Sequence, residues 1–404
     1  MNTGTLIFRF LFPFSSETEN TRVDEIDGLR GWAAARVVIY HTIGALNMNH
    51  LVSPLMHRIF LDGPMCVRIF FILSGDALSF TALRTGSKGI SPGIVLKRIP
   101  RLSGTITIGV LLMYVFNSLG WVCSSLNKTN NEGWPSAWLC NGPLENLGII
   151  DYISLAWFGV YYKGSNPIDD FLWTMPVELK GSCIVFCLCS ALPRLKDREW
   201  IIAFVFLFFV KCFDPYDAFF VFGVLLGQLR VKGLFSWLHR NVFARIIAGL
   251  IVLMLPFPLA YPDYFKWIFE VNIPGVGNFK DDYFACISVF FLYASRDAVV
   301  FLGNPIMKFL GKISFCLYVI HRAVMKTFLV WLITRYVKNG EPFPGDTKWM
   351  ILFATMPVYL TVAYMASLVE QRYISLLDRA AKRFILEEQP PKQQKGYELL
   401  TVAP

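Results

Sequence analysis

The feature that most restricts how this chain can fold is its series of long apolar segments, which are separated by short polar connections. A helix needs about 20 predominantly apolar residues to cross a hydrocarbon core of about 30 Å. The sequence therefore predicts an all-α, polytopic membrane bundle of about ten transmembrane helices, near residues 29–47, 65–83, 103–122, 175–193, 200–213, 217–230, 244–261, 283–301, 311–334 and 349–369. The fifth and sixth segments are short, and Asp214-Pro215 predicts a turn between them.

Composition favours a membrane protein over a set of soluble domains. Hydrophobic residues make up 55% of the 404 residues and charged residues 17%, whereas a soluble domain carries about 25% charge. The net charge of +9 comes from short basic clusters between apolar segments, without the basic, aromatic-interleaved face of a nucleic-acid-binding protein. The nine cysteines form no CxxC pair. We predict no metal site and no nucleic-acid partner, and the lipid bilayer as the surroundings.

Charges in the connections predict the orientation of the bundle. Basic residues are enriched in cytosolic loops, and here they cluster in alternate connections and after the tenth span, while acidic residues collect in the opposite loops. Both termini are therefore predicted to be cytosolic. The one N-glycosylation sequon, at Asn127, falls in the large outer loop of about 123–170. Cys123 and Cys140 share that loop and can form a disulfide there.

This topology divides the chain into three parts. Residues 1–25 form a cytosolic or interfacial segment, because their apolar start is too short to span a bilayer. Residues 26–372 form the membrane domain. Residues 373–404 form a cytosolic tail, and its Pro- and Gln-rich end predicts partial disorder.

Two histidines lie inside predicted spans at matching depth. Ionisable groups are costly within a bilayer, so each is a candidate for function. His41 lies about twelve residues into the first span and His321 about ten into the ninth, entered from the same side. Imidazole can exchange a proton near neutral pH, so both are predicted catalytic residues. The alternative is a hydrogen-bonded packing histidine.

Four basic residues near the inner face are candidates for binding an anion. Lys97, Arg98 and Arg101 lie at the cytosolic start of the third span, where a helix N-terminus with guanidinium groups binds phosphate well. Arg30 lies at the inner end of the first span and can assist them or pair with Asp27. The alternative is ordinary loop charge or contact with lipid headgroups.

Glu178 lies just inside the predicted outer entry of the fourth span. It can hold a substrate hydroxyl or orient a histidine. It can also simply pair with Lys180 or with an arginine of another helix.

Five segments, in order along most of the chain, resemble the motifs of the acyltransferase-3 family of membrane O-acyltransferases. They are Ile26–His41, Phe70–Gly75, Lys97–Leu102, Leu172–Glu178 and Ile313–His321. The fourth is most similar to fungal members. Two departures stand out: Asp76 follows Gly75 where the family usually has an aromatic residue, and Ser103-Gly104 follows Leu102 where a proline is common.

The resemblance implies a fold of roughly ten helices and use of cytosolic acyl-CoA, most often acetyl-CoA, as a co-substrate rather than a tightly bound cofactor. It also implies that His41 is catalytic and that Arg98 and Arg101 serve the donor. On this reading His41 activates an acceptor hydroxyl or takes the acyl group transiently, and Glu178 orients the acceptor.

The sequence does not identify the acceptor. A hydroxylated small molecule of secondary metabolism is the first expectation, and a cell-wall or lipid-linked glycan the second. A transporter with a buried ionisable relay, or a sensor that binds CoA without turnover, are alternatives of another class. The expected location is the endoplasmic reticulum or the plasma membrane.

Overall fold

A computed structural model describes residues 24–85, 90, 92–123, 139–140, 147–163, 168–269, 272–273, 277–278, 282–336 and 344–384. The predicted glycosylation site Asn127, most of the N-terminal segment and the end of the tail lie outside the described residues. Within them, regular structure is helical apart from one antiparallel ladder of two residues a strand, between Asn272–Ile273 and Gly277–Asn278. The all-α prediction is confirmed.

The α-helices follow one another as Asp24–Ala45, Pro54–Phe60, Gly63–Thr85, Pro92–Ser118, Ile149–Ser154, Val160–Lys163, Thr174–Ala191, Arg198–Cys212, Pro215–Val231, Leu234–Arg240, Val242–Met254, Pro256–Ala260, Lys266–Phe269, Asp282–Ala294, Arg296–Leu302, Pro305–Val324, Val330–Tyr336 and Gly345–Phe384. Short 3-10 turns lie at Asn49–Leu51, Asp170–Trp173 and Leu192–Arg194, and π-helical turns at Leu155–Gly159 and Met325–Leu329.

Four helices matter most for the site and are labelled here. They are α1 (Asp24–Ala45), α2 (Pro92–Ser118), α3 (Thr174–Ala191) and α4 (Pro305–Val324). The helix Gly345–Phe384 packs against both α2 and α4.

Six of the described helical segments are long and apolar enough to cross a membrane, and the number rises to eight if two bent pairs each count as one span. The six are Pro54–Arg84, Pro92–Ser118, Asp170–Arg194, Val242–Ala260, Pro305–Tyr336 and Gly345–Arg383. Helix α1 is long enough to cross a membrane but carries Arg30, Arg36 and His41. The helix Arg198–Cys212 has 15 residues and covers only about 22 Å. A multi-pass membrane protein follows, while the count of ten and the orientation of the termini stay predictions.

Helices α1 and α4 pack closely at a pair of glycines. A Cβ on Gly31 would lie 2.2 Å from the backbone nitrogen of Gly311, and one on Gly311 would lie 2.2 Å from the carbonyl oxygen of Asp27. Ten residues beyond each glycine stands a histidine, His41 on α1 and His321 on α4. The glycine contact therefore sets the register that brings the two histidines to one level, about 15 Å further along both helices.

Replacing Gly31 with alanine is expected to destabilise the protein by about 1–3 kcal/mol, because the added methyl group meets immovable backbone. Thermal unfolding in detergent measures the loss. Gly44→Ala is the matched control, since it lies on the same helix and a Cβ there meets nothing within 4 Å. Equal unfolding temperatures for the two variants would contradict the close packing.

The unusual Asp76 is buried in an ion pair. Its Oδ2 accepts from Arg230 Nη2 at 2.6 Å and from the Tyr293 hydroxyl at 3.0 Å, and the side chain of Asp76 is fully buried. The three residues lie on three helices, Gly63–Thr85, Pro215–Val231 and Asp282–Ala294. Asp76 therefore makes a polar contact that joins these helices.

A disulfide joins Cys123 and Cys140, the two cysteines that share the predicted outer loop. The backbone amide of Cys123 also donates to the carbonyl oxygen of Lys326 at 2.9 Å. Part of that loop is helical, and Tyr152 and Val160 are buried there. The loop is therefore fastened to the π-helical turn that follows α4.

Candidate active site

The structure brings together the two histidines that the sequence places at similar depth. Their ring centroids are 5.5 Å apart. The ring of Phe171 stacks against both, at 3.9 Å from His41 and 4.8 Å from His321. His321 is fully buried, with Nδ1 2.5 Å from the carbonyl oxygen of Tyr318. Its Nε2 is buried without a hydrogen-bond partner among the described residues.

The contact of His321 with the carbonyl oxygen of Tyr318 indicates which ring nitrogen carries the hydrogen. A carbonyl oxygen only accepts, so Nδ1 carries the hydrogen and Nε2 presents a lone pair to the interior of the bundle. His41 is half-buried and lines a cavity. The two rings therefore differ in access, and His41 is the one that a ligand can reach.

His41 lines a small cavity of about 370 Å³. Its other lining residues are Tyr40, Gly44, Asn49 and Phe171. Two aromatic rings form its walls and the Asn49 amide adds a polar group. The cavity can therefore hold a small ligand with an apolar body and bring its polar group to the imidazole of His41.

A second, larger cavity of about 890 Å³ lies among α1, α2, α3, α4 and the helices Gly63–Thr85 and Gly345–Phe384. Five basic and three acidic side chains line it: Arg30, Arg98, Arg101, Lys308, Lys312, Asp27, Glu178 and Glu370. Apolar residues such as Val67, Phe70 and Leu78 line much of the rest. The cavity combines a charged part with an apolar part, which suits a ligand that is anionic at one end.

Tyr318 and Thr174 line the larger cavity, whereas Phe171 lines the smaller one. The Tyr318 hydroxyl donates to the carbonyl oxygen of Phe171 at 2.5 Å and accepts from Thr174 Oγ1 at 2.8 Å. The rings of Tyr318 and His321 lie 5.7 Å apart. These hydrogen-bonded residues form a thin partition between the two cavities, with the histidine pair at its far side.

Arg98 is tied to α3 by two contacts. Its Nη2 pairs with Glu178 Oε1, and its Nε donates to Ser182 Oγ at 2.8 Å. Both side chains of the pair are largely buried, with 15% and 12% of their surface exposed. Of the alternatives for Glu178, the structure shows the pairing with an arginine of another helix. It places Glu178 in the larger cavity, away from His41, and a role in orienting the acceptor stays a prediction.

The other predicted basic residues occupy different places. Arg101 and Arg30 line the larger cavity with Arg98, and Arg30 Nε is buried without a hydrogen-bond partner among the described residues. Lys97 instead points to the helix Gly345–Phe384, where its Nζ lies 2.7 Å from Asp378 Oδ1. The structure thus groups three of the four basic residues in one cavity and directs Lys97 elsewhere.

Sequence reasoning missed several lining residues. Lys308 and Lys312 are four residues apart at the start of α4, a spacing that puts both on one face of a helix, and this signal was available. Glu370 accepts from Thr105 Oγ1 at 2.7 Å and from Cys316 Sγ at 3.2 Å. It lies on a helix whose approach to α2 no local pattern predicts.

The polar cluster behind Phe171 holds that ring in place. Arg322 is buried, and its Nε lies 2.9 Å from Asp170 Oδ1. Its guanidinium carbon lies 4.8 Å from the centre of the Phe171 ring. Because Phe171 touches both histidines, Arg322 and Asp170 support the geometry of the pair from behind.

Comparison with known proteins places the chain in a family. Residues 23–369 match the model of a family described as an acyltransferase domain. The chain is also 26% identical over 440 residues to the O-acetyltransferase PaAT-1 of Phomopsis amygdali, and that alignment covers 91% of this chain and 86% of the relative. No solved structure matches.

Proposed function

Since the chain belongs to the acyltransferase-3 family and is a membrane O-acyltransferase, we propose that it takes an acetyl group from acetyl-CoA in the larger cavity. The acceptor is a hydroxylated small molecule in the smaller cavity beside His41. The observation that carries this proposal is the pair of cavities, one lined by five cations, on two sides of a partition at the histidine pair.

The larger cavity suits an acyl-CoA. The molecule carries its phosphates at one end and its thioester at the other, joined by a neutral arm. Arg101 and Arg30 offer guanidinium groups to the phosphates, and guanidinium binds phosphate with paired, charge-assisted hydrogen bonds. The neutral arm then lies along Phe70 and Leu78, and the thioester reaches the partition at Tyr318.

The smaller cavity suits an acceptor with an apolar or aromatic body and a hydroxyl group. Tyr40 and Phe171 provide ring surfaces for stacking. A glycan presents many hydroxyl groups, and among these lining residues only a few polar groups are available to bind them. The relative that is named an O-acetyltransferase supports acetyl as the transferred group.

In the proposed reaction, the hydrogen bond of Tyr318 to the carbonyl oxygen of Phe171 opens so that the acceptor and the thioester meet. An imidazole nitrogen of His41 takes the proton of the acceptor hydroxyl as its oxygen attacks the thioester carbon. The Tyr318 hydroxyl lies at that end of the cavity and, once its hydrogen bond to Phe171 is broken, can donate to the developing oxyanion. The carbon–sulfur bond then breaks, and the CoA thiolate takes the proton from His41. The products are an ester and free CoA, and His41 returns to its neutral form.

Equilibrium binding of radiolabelled acetyl-CoA to the detergent-purified protein tests the donor site. We expect saturable binding that unlabelled CoA displaces and that Arg101→Ala weakens by about 10-fold or more, the loss of one or two charge-assisted hydrogen bonds. Arg194→Ala, an exposed arginine outside both cavities, is the control. Folded protein that binds no acyl-CoA would overturn the proposal and favour a transporter.

A further inference from the structure

The larger cavity carries cations from two opposed helices. Arg98 and Arg101 stand on α2, whereas Lys308 and Lys312 stand on α4. The glycine contact between α1 and α4 brings Arg30 to the same region. A ligand in this cavity therefore meets positive charge from both sides.

The cations differ in depth. Arg98 is largely buried against Glu178. Arg101, Lys308 and Lys312 are exposed. Lys312 lies six residues and Lys308 ten residues before Tyr318 on the same helix, or about 9 Å and 15 Å along its axis. The two lysines therefore mark the end of the cavity that is farthest from the partition.

The charges of CoA are ordered in the same way. Starting from the thioester, the neutral arm comes first, then the pyrophosphate and finally the ribose 3′-phosphate. A monoester phosphate at an exposed position is matched by ammonium groups, which act as compact point charges with rotatable donors. If the thioester lies at Tyr318, the 3′-phosphate is the group that lies closest to the mouth.

We propose that Lys308 and Lys312 form the subsite for the 3′-phosphate of CoA. The subsite makes the protein prefer CoA thioesters to otherwise identical thioesters that lack this phosphate. This inference rests on the proposed function, since it assigns one part of the donor to one part of the larger cavity.

Binding of acetyl-CoA and of acetyl-3′-dephospho-CoA to four purified proteins tests it: wild type, Lys308→Ala/Lys312→Ala, Lys308→Arg/Lys312→Arg and Lys196→Ala. For wild type we expect about 10-fold weaker binding without the 3′-phosphate, the loss of one charge-assisted contact. In the double alanine variant, the dissociation constant for acetyl-CoA should rise to the value that wild type has for acetyl-3′-dephospho-CoA. Its affinity for the dephospho compound should stay unchanged.

The controls separate this subsite from general electrostatics. The double arginine variant keeps the charge and should keep the preference. Lys196→Ala removes an exposed lysine outside both cavities and should change neither constant. Equal weakening of both ligands in the double alanine variant, or no change in either, would overturn the subsite; the second result would indicate that the lysines contact lipid headgroups instead. Absence of all binding by wild type would overturn the proposed function itself.

Discussion

Replacing His41 with alanine is expected to lower the turnover number by about 10²–10⁴-fold, the usual contribution of a positioned general base. The acceptor hydroxyl then keeps its proton as it attacks the thioester. The dissociation constant for acetyl-CoA is expected to stay the same, because His41 lines the smaller cavity and not the larger one, where we propose that the donor binds. Release of CoA thiol with time and equilibrium binding measure the two quantities on the same preparation.

His50→Ala is the matched control, since His50 is exposed and lies on the neighbouring 3-10 turn outside both cavities. Its turnover should equal that of wild type. Normal turnover in His41→Ala at normal expression would remove His41 from the mechanism. A loss of donor binding in that variant would contradict the separation of the two cavities by the partition.

Replacing Arg98 with alanine is expected to destabilise the protein by about 3–5 kcal/mol, because it leaves the carboxylate of Glu178 buried without its cation. The unfolding free energy or the unfolding temperature in detergent measures this loss. Adding Glu178→Gln to the same chain removes the unpaired charge and should restore most of the stability.

Lys97→Ala removes an exposed ion pair next to the buried pair of Arg98. The contact of Lys97 with Asp378 leaves 29% and 48% of the two side chains exposed, and a surface pair contributes about 0–1 kcal/mol. We therefore expect little change in stability. If Lys97→Ala and Arg98→Ala unfold at the same temperature, the buried pair between α2 and α3 does not have the role described here.

The sequence predicts those parts of the site whose residue pattern lies within a single helix. The depth of His41 and of His321 can be counted along single helices, and the observed rings do meet. The basic pattern at Arg98 and Arg101 also lies within one helical turn, and both residues line the larger cavity.

Other features depend on how distant helices approach each other. The sequence allowed Glu178 to bind an acceptor, a histidine or an arginine, and only the approach of α3 to α2 selects Arg98. Phe171, which contacts both histidines, lies on a 3-10 turn that apolar periodicity does not reveal. Asp76 pairs with Arg230, which is 154 residues away along the chain, so no local pattern predicts this contact.

The number of spans shows a different limit. Hydropathy describes each segment alone. Helix α1 is long enough to cross a membrane, but it carries two arginines and packs against α4 on one side. The bent pair Tyr283–Ala294 and Arg296–Leu302 turns by 92°, although the sequence predicts one continuous span there. A turn at Ser295, whose side chain accepts from the amide of Ala298 at 3.3 Å, begins the second helix.

The most direct test of the account is CoA release by the purified protein with labelled acetyl-CoA and a panel of small alcohols and phenols, compared with His41→Ala. We expect saturable donor binding by both proteins, with release of CoA and a labelled ester produced by wild type alone. Wild type that binds acetyl-CoA but releases CoA no faster than His41→Ala would contradict it.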